Sequence, residues 1–202
     1  QDADRRYRLG LRLVPLGAVA HGALQPWTSR LSALVAATGE TANAATLAGD
    51  VVVFVAREVS PYAMRSAGEV GRRAPLHASA AGKALLALLT DTAATAVLRP
   101  ALGTTLGTTL GTTLGTAGAL PALTPRTLTS VEAVLEEVRV VRTRGYAVDD
   151  EEEETGARCV AVPVPDAVVP LALSLSGPTA RITRKRVPEL AAALRLAARR
   201  LP

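Results

Sequence analysis

The sequence predicts an α+β domain in which helices pack on an antiparallel sheet. Three observations carry that prediction. Helical and strand patterns follow one another in the order helices, strands, helices, strands, helix. The strands come in groups joined by turn signals, which favours hairpins over parallel crossovers. Apolar residues make up 49% of the 202, enough for the core of one domain, or of one domain with a short appendage.

Mean hydropathy is +0.24, yet no apolar run nears the roughly 18 residues of a membrane span. The opening residues Gln1–Arg6 are charged and lack the apolar stretch of a signal peptide. The first residue is Gln1 rather than Met, the mark of a processed or truncated chain. A single cysteine, Cys159, excludes an internal disulfide, and a cytoplasmic location is expected. The formal charge of +5 raises nucleic acid as a partner. The arginines, however, are spread along the chain at helical spacings, and the run Arg181–Arg186 has no interleaved aromatic to stack on bases. Only Lys83 and Lys185 are lysines, so a GC-rich gene accounts for the arginine count. The basic balance is read as solvated helix faces.

In chain order, Leu9, Leu13, Leu16 and Val19/Ala20 have the spacing of one helical face, with Pro15 expected to bend or interrupt it. Pro26 suits an early position of a second helix, which buries Trp27, Leu31, Leu34 and Val35 and stops at Gly39. Glu40–Leu47 and Val51–Arg57 form a hairpin around Ala48-Gly49-Asp50. The run Val51–Val55 is apolar on both faces and is expected to be central and covered. Tyr62–Ser66 is expected to form a short strand and Gly68–Pro75 a loop.

Ser79 is an N-cap candidate for the helix that follows, whose first turn is built from Ala80, Ala81 and Gly82. Such a turn lets a ligand approach free backbone N–H groups, and the helix dipole favours a carboxylate there. The same small residues would equally serve close helix–sheet packing. His77 has no second histidine or acidic residue at metal-site spacing, so it is read as structural, and no cofactor is expected. Asp91–Leu98 is a short helix. From 102 to 116 a Leu-Gly-Thr-Thr repeat suits neither helix nor strand and reads as an exposed low-complexity insertion. Thr129 and Glu132 form a capping box for a helix facing inward with Val131, Val134, Leu135, Val138 and Val141, ended by Gly145.

Gly145–Pro178 is a strand, an acidic loop, a second strand, a turn and a third strand. Side chains alternate along a strand, so Ser174 and Ser176 share a face, with Leu173 and Leu175 on the other. Cys159, Ala161 and Pro163 likewise oppose Val160, Val162 and Val164. A thiol, two hydroxyls and the nearby Asp149 among small apolar groups suit a small polar ligand. A final helix starts near Thr183 or Val187, with Pro188 in its first turn.

Laid out in this way, the chain resembles the effector-binding C-terminal domain of the IclR family of bacterial transcription regulators. The likeness lies in Tyr7–Gly10, Gly71–Leu86, Leu123–Thr127, Gly145–Glu152, Gly156–Ala161 and Ser174–Pro178, which occur in the family's order. The resemblance implies a GAF-like fold with a curved antiparallel sheet, residues 1–22 being a linker helix region and 23–202 the effector-binding domain. It also implies a small organic-acid effector, a homodimer or homotetramer, and DNA contact only through an N-terminal winged helix-turn-helix that these residues do not include. Pro15 and Pro188 depart from it, standing where the family usually continues a helix. The positions it implies for the effector are Ala80, Ala81, Asp149, Cys159, Ser174 and Ser176, with Ala63, Ser66 and Ala157 as small walls. Asp149 would either accept from a ligand hydroxyl or order the pocket. Small residues at Ala63 and Ala157 suggest a roomy pocket and a bulkier effector. Two other functions are weighed against a sensor: a ligand-free oligomerisation scaffold, and an enzyme using Cys159 as nucleophile with His77 as base. A mid-strand cysteine without an activating partner argues against the enzyme.

Overall fold

The computed structural model describes residues 13–66, 68–101, 119–165, 167 and 169–199, without the side chains of 13–16, 18–26 and 101. The expected face around Leu9–Ala20 and the 102–116 repeat lie outside what is described.

Helix α1 (Leu13–Thr38) leads into the hairpin of β1 (Thr41–Ala48) and β2 (Val51–Glu58), and β3 (Arg73–Pro75) follows. Next come α2 (Ala80–Ala87), α3 (Asp91–Leu98), a short 3-10 turn and α4 (Val131–Arg144). The chain ends in β4 (Ala147–Asp150), β5 (Ala157–Val164), β6 (Leu171–Pro178) and α5 (Val187–Ala198). The six strands form one curled sheet in the order β3-β2-β1-β6-β5-β4, with every neighbouring pair antiparallel. The expected α+β architecture is observed.

Each face of the sheet carries its own apolar core. On the front, Leu85 and Leu86 of α2 and Val134, Val138 and Val141 of α4 close over Ala45, Phe54 and Ala161. On the back, Leu31 and Leu34 of α1 and Leu190 and Leu194 of α5 close over Val160, Val162, Leu173 and Leu175. The alternation in β5 and β6 therefore runs as the sequence predicts. Gly49, at φ +65°, makes the tight turn that pairs Ala48 with Val51.

Several elements differ from expectation. Helix α1 is continuous through Pro26, which starts no second helix. Pro26 has no N–H, so the Gly22 carbonyl receives no helical hydrogen bond from it. Residues 61–64 bend without pairing, and it is Arg73–Pro75, expected as loop, that pairs with Val51–Val53 at the sheet edge. Strand β2 thus lies next to the edge, and Val51, Val53 and Val55 are only partly buried. The cap of α4 is Ser130, which accepts from Ala133 N at 3.2 Å, one residue after Thr129. No described helix is long and apolar enough to cross a membrane.

The basic run after β6 is used internally. Arg181 grips the fully buried Glu40 with two hydrogen bonds of 2.9 and 2.8 Å, and Arg186 adds a third at 3.3 Å. Arg184 pairs with Asp150 at 2.7 Å. These three arginines tie the segment between β6 and α5 to Glu40 just before β1 and to Asp150 at the end of β4, Arg184 from a largely exposed position.

Candidate functional site

Two polar rows cross the front of the sheet where it meets the start of α2. In the first, Arg57 of β2 stands opposite Asn43 of β1, which stands opposite Ser174 of β6. In the second, Ser176 faces Cys159 of β5, and Cys159 faces Asp149 of β4. With Ala80 and Ala81 above them, these side chains line a cavity of about 40 Å³. Phe54, Ser66, Arg72, Ser79, Glu153, Glu154 and Ala157 complete the lining.

Every expected position except one lies on this cavity. Ala63 is exposed and outside it. The cavity is bordered by large as well as small side chains. The long side chains of Phe54, Arg57 and Arg72 line it together with Ser66 and Ala157.

The start of α2 serves two purposes. Ser79 caps it, its hydroxyl accepting from Gly82 N at 3.1 Å. Gly82 itself answers to packing, since a Cβ there would stand 2.6 Å from Leu76 Cα. Ala80 and Ala81 remain as the cavity-lining residues of that first turn.

Hydrogen bonding around the cavity is uneven. Asn43 is 2% exposed; its amide donates at 3.5 and 3.4 Å to the hydroxyls of Ser174 and Ser176, while its Oδ1 has no partner. Arg57 donates to the Ser66 carbonyl, while its buried Nε has no partner. Arg72 pairs with Glu153 and lies over the Phe54 ring. Asp149 Oδ1 accepts from the backbone N–H groups of Glu152 at 2.7 Å and Glu153 at 3.2 Å, so this carboxylate orders the acidic turn. Beneath the turn, Glu152 meets the fully buried Lys83 of α2.

The electrostatics follow from burial. The Asp149 carboxyl is pushed up to about 7, by burial first and then by the Glu153 charge, against the pull of the two N–H groups and Lys83. Burial also raises Glu152 and Glu153, opposed by Lys83 and Arg72 respectively. The Cys159 thiol is pushed well up by burial, then by the charges of Asp149 and Glu153, and it donates to Asp149. A thiol held this way is a poor nucleophile. His77 is 1% exposed with its Nε2 2.9 Å from the Pro121 carbonyl, and burial lowers its pKa, so it stays neutral and structural. No cluster of potential metal ligands occurs among the described residues.

Residues 21–202 match the family model of the bacterial transcriptional regulator IclR C-terminal domain. The chain belongs to the IclR family. The HTH-type transcriptional regulator KdgR of Escherichia coli is 35% identical over the whole of this chain and 72% of its own length. XynR of the same organism is 36% identical over 88% of this chain and 66% of its own length. The crystal structure of the KdgR C-terminal domain superposes with a TM-score of 0.70 at 32% identity, covering 87% of this chain and 93% of that one. An IclR homologue from Microbacterium hydrocarbonoxydans, solved in complex with 4-hydroxybenzoate, gives a TM-score of 0.73 at 27% identity over 98% of this chain and 75% of its own. These relatives are named as regulators, and this IclR domain is regulatory, not enzymatic.

Asn43, Arg57 and Arg72 were not among the residues singled out by sequence. Asn43 was findable, being the one amide in the otherwise small or apolar strand Thr41–Ala48. Arg57 was not, because a β-bulge between Ala44 and Ala45 shifts the pairing by one residue. Counting back from the Ala48–Val51 turn sets Ala56 opposite Asn43; the bulge sets Arg57 there and turns Ala56 to the back core.

Proposed function

We propose that this domain is a sensor that takes up a small organic acid in the cavity under α2. The observation that carries the reading is the convergence, on one small cavity, of a helix start and two buried polar atoms without partners, Arg57 Nε and Asn43 Oδ1. Buried polar groups left unpaired are costly, and a ligand bearing both hydrogen-bonding characters relieves that cost. The acid's carboxylate sits against Arg57 and the first turn of α2. Occupancy acts on DNA through a helix-turn-helix joined on the N-terminal side, between subunits paired as a homodimer or homotetramer, in the cytoplasm. Regulation requires that the acid bind one subunit arrangement better than the other.

Thermal-shift titration against small carboxylic acids, including pyruvate, glyoxylate and hydroxybenzoates, tests the reading. A saturable rise in melting temperature with one class, lost in Ser174→Ala, is expected. Excess ligand at a hundredfold over Kd stabilises by about 2.7 kcal/mol. A flat response to every acid would favour the ligand-free scaffold.

A further inference from the structure

We propose that the cavity selects an α-hydroxy carboxylate, and that Asn43 is the residue that reads the hydroxyl. This rests on the small-acid reading above and narrows it. Arg57 and Asn43 are directly paired across β2 and β1, on the face that lines the cavity. One presents a buried donor, Nε, and the other a buried acceptor, Oδ1, and each lacks a partner. Side chains so paired have Cβ atoms about 5 Å apart, yet these two groups do not bond to each other. What completes them is a ligand with an acceptor and a donor side by side. An acid with its hydroxyl on the adjacent carbon has that pattern, the carboxylate accepting from Arg57 and the hydroxyl donating to Asn43.

The alternatives fit less well. With the Asn43 amide oriented to donate to Ser174 and Ser176, a keto oxygen beside the carboxylate would face Oδ1 acceptor to acceptor, and a plain fatty acid would leave Oδ1 unpaired. A second carboxylate would add negative charge to a cavity already lined by Glu153 and Glu154. Arg72 is already occupied by Glu153, which leaves Arg57 to take the acid.

The experiment is calorimetric titration of the whole chain with lactate, pyruvate and propionate, and with glycolate and acetate. Lactate and glycolate are expected to bind about tenfold or more tightly than the matched acids. Asn43→Leu, checked for folding by its melting curve, is expected to erase that margin while leaving weak propionate binding in place. Should Asn43→Leu not fold, the comparison within the wild-type protein still decides. Pyruvate or propionate binding as tightly as lactate would overturn the hydroxyl assignment and leave the acid sensor standing. So would a set of five non-binders alongside a hydroxybenzoate that binds. Failure of every acid would overturn both.

Discussion

Gly82→Ala should destabilise this protein, although the same change in most helices does the opposite. Alanine is favoured over glycine inside a helix by about 1 kcal/mol. At Gly82 the added Cβ would lie 2.6 Å from Leu76 Cα and 2.7 Å from its carbonyl carbon. Comfortable carbon contacts are at about 3.5–4.0 Å, so the overlap is near 1 Å. The obstacle is backbone, which cannot rotate aside as a side chain can, and α2 must lift off the Leu76 segment. Overpacking of this kind costs about 1–3 kcal/mol. With the upper value, less the propensity gain, the net loss is about 2 kcal/mol. For a chain of this size that lowers the melting temperature by roughly 4–8 °C. Circular-dichroism melts and urea titration with an unchanged m-value give the number directly. A Gly82→Ala protein melting at or above wild type would refute the reasoning and show that α2 has slack against Leu76.

Three further outcomes follow from the buried charges. Asp149 holds its proton more tightly folded than unfolded, so its contribution is full below the ordinary carboxylate range, about pH 4, and is lost as pH rises through about 7. Between pH 5 and 7 wild type should lose about 2 kcal/mol relative to Asp149→Asn, whose amide oxygen still accepts from Glu152 and Glu153; parallel pH–stability curves would contradict this. Lys83→Met leaves Glu152 buried without its cation and should cost about 3–5 kcal/mol, most of it regained in Lys83→Met/Glu152→Met. If urea midpoints put the double variant below the single, the ion pair is not the source of the loss. Cys159 in the folded protein should react slowly with iodoacetamide near neutral pH and quickly in urea, and fast labelling of the native state would revive the nucleophile reading.

Much of the fold was legible because period and punctuation agree. Gly145 sits left-handed at φ +79° after α4, Ser79 caps α2, and the alternation in β5 and β6 sorts valine and leucine from serine and cysteine. What was hidden depends on more than local pattern. Edge strand β3 has three residues, too few to show a period, and its pairing exists only because β2 offers an open side. Pro26 reads locally as a start, and the back core beneath Leu31 and Leu34 overrides it. At the site, Asp149, Cys159 and the two serines could be found by parity. Arg57 could not, since one bulged residue reverses which face the end of β2 presents. Ala63 was implied by the family resemblance, and it lies in a bend away from the cavity.

Strand β1 is a partition one residue thick. Asn43 faces the cavity, while its neighbours Ala42 and Ala44 face the back core that seats α1. The partition has little padding, because alanine brings the helix close to the strand backbone. A peptide unit is rigid, so a displacement of Asn43 by even a fraction of an ångström moves both alanines with it. Helix α1 lies across β1 and β2, and it is through α1 that the chain on the N-terminal side is joined to the sheet. The seat of that connection and the floor of the cavity are two sides of the same three residues.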